Sequence, residues 1–188
     1  MSRLSVLVNR PRRTLAALAT VLVAVGITAA SGADFTATSA NADTTFATGT
    51  LTIENTKEAQ AIFASTSDMR PGDPARTGQV DIKNTGSLSG VFKLKRGSVS
   101  DSDSTYKLST KLNLVVKDCG DFSAGAPDCS AGTVKYTGTV AAMSSDVALG
   151  TFAGGEKHRY EFSVTVDASA DNNYQGVNSV VPFSWTAS

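Results

Sequence analysis

The sequence is poor in the residues on which most catalytic sites are built. It has one histidine, His158, and two cysteines, Cys119 and Cys129. A zinc hydrolase draws on three protein ligands, commonly two histidines four apart on a helix, and a lone histidine cannot supply them. No serine sits in the Gly-x-Ser-x-Gly turn that exposes a hydrolase nucleophile. A phosphate-binding loop and a dinucleotide fingerprint are also missing, and no cofactor is expected. The chain holds 17 basic and 17 acidic residues, so neither sign is in excess. The apolar run Leu15 to Ile27 is well short of the 18 or more residues that span a bilayer. No long helical pattern is visible.

What is present begins with a targeting pattern. Arg3, Arg10, Arg12 and Arg13 head the chain without an acid. The apolar run follows, and then Thr28-Ala29-Ala30-Ser31-Gly32-Ala33. Basic head, apolar middle and small-residue zone are the order of a signal peptide, residues 1–33. Ser31 and Ala33 fit a cut before Asp34; Thr28 and Ala30 offer a second position, and an uncleaved anchor is the remaining reading. Arg12-Arg13 leaves a twin-arginine route open beside the general one. Without the four arginines the mature part has 13 basic against 17 acidic residues, a net charge of −4. It carries no basic patch, which argues against nucleic acid as a partner and leaves the membrane only an uncleaved signal as a contact.

Residues 34–188 read as one all-β domain. Apolar side chains recur at every second position in several short runs, the period of a half-buried strand. Tyr160, Phe162, Val164 and Val166 form one such row; Val181, Phe183 and Trp185 form another. The two make a hairpin-like pair around the polar stretch Asp171 to Gly176. Upstream, Leu51 with Ile53, Val80 with Ile82, Phe92 with Leu94, Leu112 with Leu114 and Val116, and Val134 with Tyr136 mark further strands. The first of these spans Thr44 to Ile53. Ala59–Ala64 is a short strand or a loop anchor. Pro71-Gly72 suits the centre of a type II turn, and Asn84 to Ser87 is a turn. Gly97 to Thr105 reads as a mobile Ser/Asp-rich loop. Val140 to Leu149 is ambiguous, with one helical turn possible at Ala141-Ala142-Met143. About eight strands with turn signals between them predict a two-sheet sandwich of Greek-key or jelly-roll type.

An exported chain meets an oxidising space, so Cys119 and Cys129 are expected to form a disulfide. His158 reads as a solvated residue at a strand edge, on the face opposite Glu161. Asp101 with Asp103, and Asp167 with Asp171, are either solvated loop acids or calcium ligands.

Several stretches together resemble the camelysin/TasA family of secreted bacterial proteins. They are Ala33-Asp34-Phe35-Thr36 after the signal, Thr45 to Ile53, Met69-Arg70-Pro71-Gly72-Asp73, Ile82-Lys83-Asn84-Thr85-Gly86-Ser87-Leu88, Asn172-Asn173-Tyr174-Gln175-Gly176 and Val181 to Ala187. The resemblance spans most of the mature chain; the Cys119–Cys129 loop reads as an insertion. It implies a jelly-roll sandwich and two competing activities. One is structural: polymerisation into fibres of the cell surface or biofilm matrix, with the chain itself as partner and other matrix or cell-wall components beside it. Asp34, Phe35, Thr36, Ala37 and Thr38 would then be the donor strand, with Phe35 its anchor. The other is a cell-surface metalloendopeptidase, for which this sequence lacks the ligands. A monomeric adhesive sandwich is a third reading. No sortase-type signal precedes Ser188, so release or non-covalent retention is expected.

Overall fold

The computed structural model describes residues 47–143 and 146–188. The expected signal peptide, residues 1–33, and the expected donor segment, residues 34–38, lie outside the described residues. Period-two alternation does produce the elements. In chain order they are β1 (Ile53–Asn55), β2 (Arg76–Asn84), β3 (Gly90–Arg96), β4 (Ser100–Asp101), β5 (Leu112–Asp121), β6 (Thr133–Thr139), β7 (Val147–Phe152), β8 (Lys157–Val166), β9 (Ser179–Val180) and β10 (Phe183–Ala187). The only helical pieces among the described residues are three short 3-10 turns.

The strands form an all-β sandwich. One sheet has the order β1-β2-β8-β5-β6, the other β10-β3-β7, and β4 pairs with β9 apart from both. All of these pairings are antiparallel. Val80 and Ile82 of β2, Leu114 and Val116 of β5, and Tyr160 and Phe162 of β8 are almost wholly buried, as are Phe92 and Leu94 of β3. Each such side chain contributes about 1.5–3 kcal/mol by leaving water. Aromatic rings join the layers: Tyr160 meets Trp185 at 5.3 Å between centroids, and Phe162 meets Phe183 at 5.2 Å.

The two rows near the C-terminus therefore do not form a hairpin. β8 is the middle strand of the larger sheet and β10 an edge of the smaller one; they face each other across the core. The first strand is shorter than its alternation predicts. Residues 50–52 run beside a turn rather than a strand: Thr50 accepts from the amide of Leu88 and Thr52 from that of Thr85, both at 3.0 Å. Gly97–Thr105 is not simply a loop, because β4 lies in it and Asp101 accepts hydrogen bonds from the amide and hydroxyl of Ser109. Cys119 sits within β5 rather than in the loop, bonded to Cys129 with the Cα atoms 4.6 Å apart. The ambiguous stretch resolves into a turn at 141–142 followed by strand β7.

Ile62 and Phe63 serve as a loop anchor. The carbonyl oxygen of Ile62 lies 2.4 Å from where a Cβ on Gly78 would sit, so only glycine at that point of β2 lets the segment come so close. Phe63 packs edge-on against Phe162 at 6.5 Å. No described helix is long and apolar enough to cross a membrane.

Candidate functional site

His158 is half-buried on the inner face of the central strand, which corrects the reading of it as a solvated strand-edge residue. It lies on β8 two residues before Tyr160, and alternation turns both inward. Its Nδ1 is 2.9 Å from Oδ1 of Asp118, which follows Leu114 and Val116 on the inner face of β5. Its Nε2 is 2.8 Å from Oε1 of Glu156, in the turn that Glu156 closes by donating its amide to the carbonyl of Ala153. The ring stacks on Phe152 at 4.2 Å, and Phe152 stacks on Phe92 at 4.3 Å.

A neutral imidazole has one N–H, yet both ring nitrogens here face carboxylate oxygens. Burial works against charging the ring, but the hydrogen bonds to Asp118 and Glu156 outweigh it and hold the pKa of His158 above its ordinary value. Burial also opposes ionisation of Asp118, and its bonds from His158 and the amide of Gly120 overcome this and depress its pKa. The bond from His158 likewise lowers that of Glu156. Lys135 approaches the other oxygen of Asp118 at 3.5 Å. Burial pushes the Tyr160 hydroxyl far up, with Asp118 adding to the effect.

The cluster joins β5, β8 and the turn before β8, and the stack of the ring on Phe152 reaches the smaller sheet. The two carboxylates lie on different nitrogens of the ring and do not converge on one point. Among the described residues no three His, Cys, Asp or Glu side chains are placed to hold a metal ion. Glu161 lies on the outer face, accepting from Gln79 at 3.0 Å, so it is separate from His158 as the spacing predicts.

The loop acids are engaged in turns. Asp103 accepts from the amides of Thr105 and Tyr106, and Asp171 from that of Asn173. Asp167 accepts from the Ser169 hydroxyl and the Asn113 amide, which hold its pKa down to about 2.

The stretches that carry the family resemblance separate to the two ends of β2. Asn84 at one end is fully buried. Its side chain donates to the carbonyls of Leu88 and Phe152 and accepts from the amide of Gly86. The carbonyl of Thr50 lies 2.2 Å from a Cβ built on Gly86, so glycine permits that approach. At the other end, the amide of Asp73 donates to the carbonyl of Arg70 across Pro71 and Gly72, and Gly72 has φ +86. This is the expected turn. Asn172 and Tyr174 form a 3-10 turn, with Gln175 and Gly176 after it. Pro71, Asn172, Tyr174, Gln175 and Gly176 come together on one cleft of about 980 Å³.

That cleft is lined by Leu112 at the start of β5 and by Val164 and Val166 at the end of β8. A second cleft of about 540 Å³ continues it and shares Phe63 and Val181. Residues 181–185 form one wall of the second, and residues 57–63 the other. Together they make a groove beside β10, the candidate site. Tyr174 is not an open platform in it: Tyr106 meets it edge-on at 5.7 Å and the Lys111 ammonium lies 5.7 Å from its ring centre.

Sequence reasoning missed the His158 cluster and the groove. Extending the β8 alternation back by two residues, and that of β5 forward by two, would have found His158 and Asp118. No local signal marks the groove, whose walls come from segments far apart in the chain. No model of a known protein family matches this chain, and no curated protein matches it.

Proposed function

We propose that the protein is a secreted structural protein of the cell surface or matrix, whose subunits join head-to-tail when the N-terminal segment of one adds as a strand to the next. The observation that carries this reading is the state of the β10 edge. Among the described residues β10 pairs only with β3, leaving one row of backbone groups without a partner strand. Exposed edges are normally blunted by charge, proline, shortness or bulges. β1 is three residues long and carries Glu54; β6 carries Lys135 and a shift of register against β5; β7 has a shift against β3. β10, Phe-Ser-Trp-Thr-Ala, has neither charge nor bulge.

The groove beside that edge has a mixed lining, with Leu112, Val164, Val166, Phe63 and Val181 offering apolar surface to an added strand. In strand addition main-chain hydrogen bonds supply affinity, and pockets for alternate side chains supply selectivity. Residues 34–38 of a neighbouring copy would supply the added strand, with Phe35 as its one large apolar anchor. The disulfide is compatible with an extracellular location.

The test is deletion of residues 34–41. The chain starting at Asp34 should form fibres visible by electron microscopy, and the truncated chain should remain a folded monomer by light scattering and circular dichroism. Fibres from the truncated chain overturn the reading. A chain starting at Asp34 that stays monomeric at high concentration favours an adhesive module instead.

A further inference from the structure

The wall of the groove opposite β10 is unusual in how it is held. Residues 61–69 make no main-chain hydrogen bond to any described residue. Their attachment comes from side chains: Ile62 and Phe63 pack on the core of the larger sheet, Phe63 against Phe162. Near its two ends, just before it at Ala59 and within it at Asp68, φ is +56. This left-handed conformation crowds any residue with a Cβ. Both side chains are exposed, and neither makes a hydrogen bond among the described residues to offset that strain. The segment thus combines apolar anchoring, missing backbone bonds and strained ends, beside a strand edge that no second described strand pairs with.

We infer that residues 59–68 form a displaceable strap: Ile62 and Phe63 fill part of the acceptor groove in the free subunit, and an incoming strand beside β10 moves them out. This rests on the assembly reading above and adds its regulation. The occupant is the N-terminal segment of a second copy. The strap supplies an alternative cover for the same apolar side chains, so a free subunit hides the surface that assembly uses. A segment with full backbone bonding could not be exchanged for a strand so readily, because each bond lost would need replacing.

Two sets of variants of the chain starting at Asp34 act in opposite directions. Ala59→Gly with Asp68→Gly removes the crowding at positive φ and holds the strap in place, so fibre growth followed by light scattering should slow by about tenfold. Phe63→Ala removes the larger anchor and should speed growth by a similar factor, with ordered fibres in electron micrographs. In the wild type, hydrogen exchange should report that the amides of Phe183, Trp185 and Ala187, which point away from β3, gain protection on assembly. Growth at unchanged rate in both sets overturns the strap while leaving the assembly reading intact. So does reversal of either direction. No fibres from wild type or variants overturns the assembly reading and the strap with it. The glycine pair leaves all core side chains in place, so its result stands even if Phe63→Ala fails to fold.

Discussion

At His158 two carboxylates face one ring, and the consequences for pH can be signed. The folded-state pKa of His158 is raised above 6.5. Its contribution to stability is therefore complete below that value and is lost as pH rises through the higher folded pKa. Asp118 and Glu156 are depressed below 3.8 and 4.5. Their contribution is present above those values and lost as pH falls through the lower folded ones. Melting temperature should thus form a plateau between the ordinary carboxylate and histidine values and fall on both sides. His158→Gln cannot donate to both partners as a cation, and should flatten the alkaline fall. His158→Ala takes the ring from Asp118 and Glu156, while Asp118 keeps Lys135 and the amide of Gly120, and should cost about 1–3 kcal/mol. Denaturant melts across pH check both. An alkaline fall that persists in His158→Gln would place its cause elsewhere.

At the scale of elements, the disulfide ties the end of β5 to a 3-10 turn across a sequence separation of 10. Closing so short a loop stabilises by about 3 kcal/mol in the chain-entropy model. The replacement of both cysteines by serine should lower stability by that amount in a denaturant titration. Phe122, within the loop, lies under the Lys157 ammonium at 4.4 Å and near the Arg159 guanidinium at 5.5 Å, so the loop is also held by packing and the replaced chain should still fold. Strands were legible wherever large apolar residues alternate, as in β2, β3, β5 and β8. β7 was not, because Val147, Leu149 and Phe152 break the period; Gly150 at φ +128 sits beside a shift of register against β3. Nor was the partner of β10, since pairing between distant strands depends on which faces match rather than on any one run. Cys119 and Cys129 were legible as a pair from compartment alone. The groove was not, for its walls come from segments that lie far apart in the chain.

For the whole molecule, the unguarded edge is the feature to perturb. Ser184 is exposed on β10 and opposite Lys95 in register. Ser184→Glu gains a cross-strand partner of opposite sign, worth about 0.2–1 kcal/mol, so the fold should be unharmed. It also charges the edge, as natural edges are charged. Fibre growth should be suppressed while the melting temperature stays within a few degrees of wild type; normal growth would move the acceptor edge away from β10. The order of the larger sheet has one more outcome, concerning time. β2 and β5 are both made early, yet each needs β8, which starts only at Lys157. A nascent chain cannot close that sheet until nearly all of it has been synthesised. Such distant pairings fold slowly, in milliseconds to seconds, so the larger sheet closes late and its central apolar row is among the last parts of the molecule to leave water.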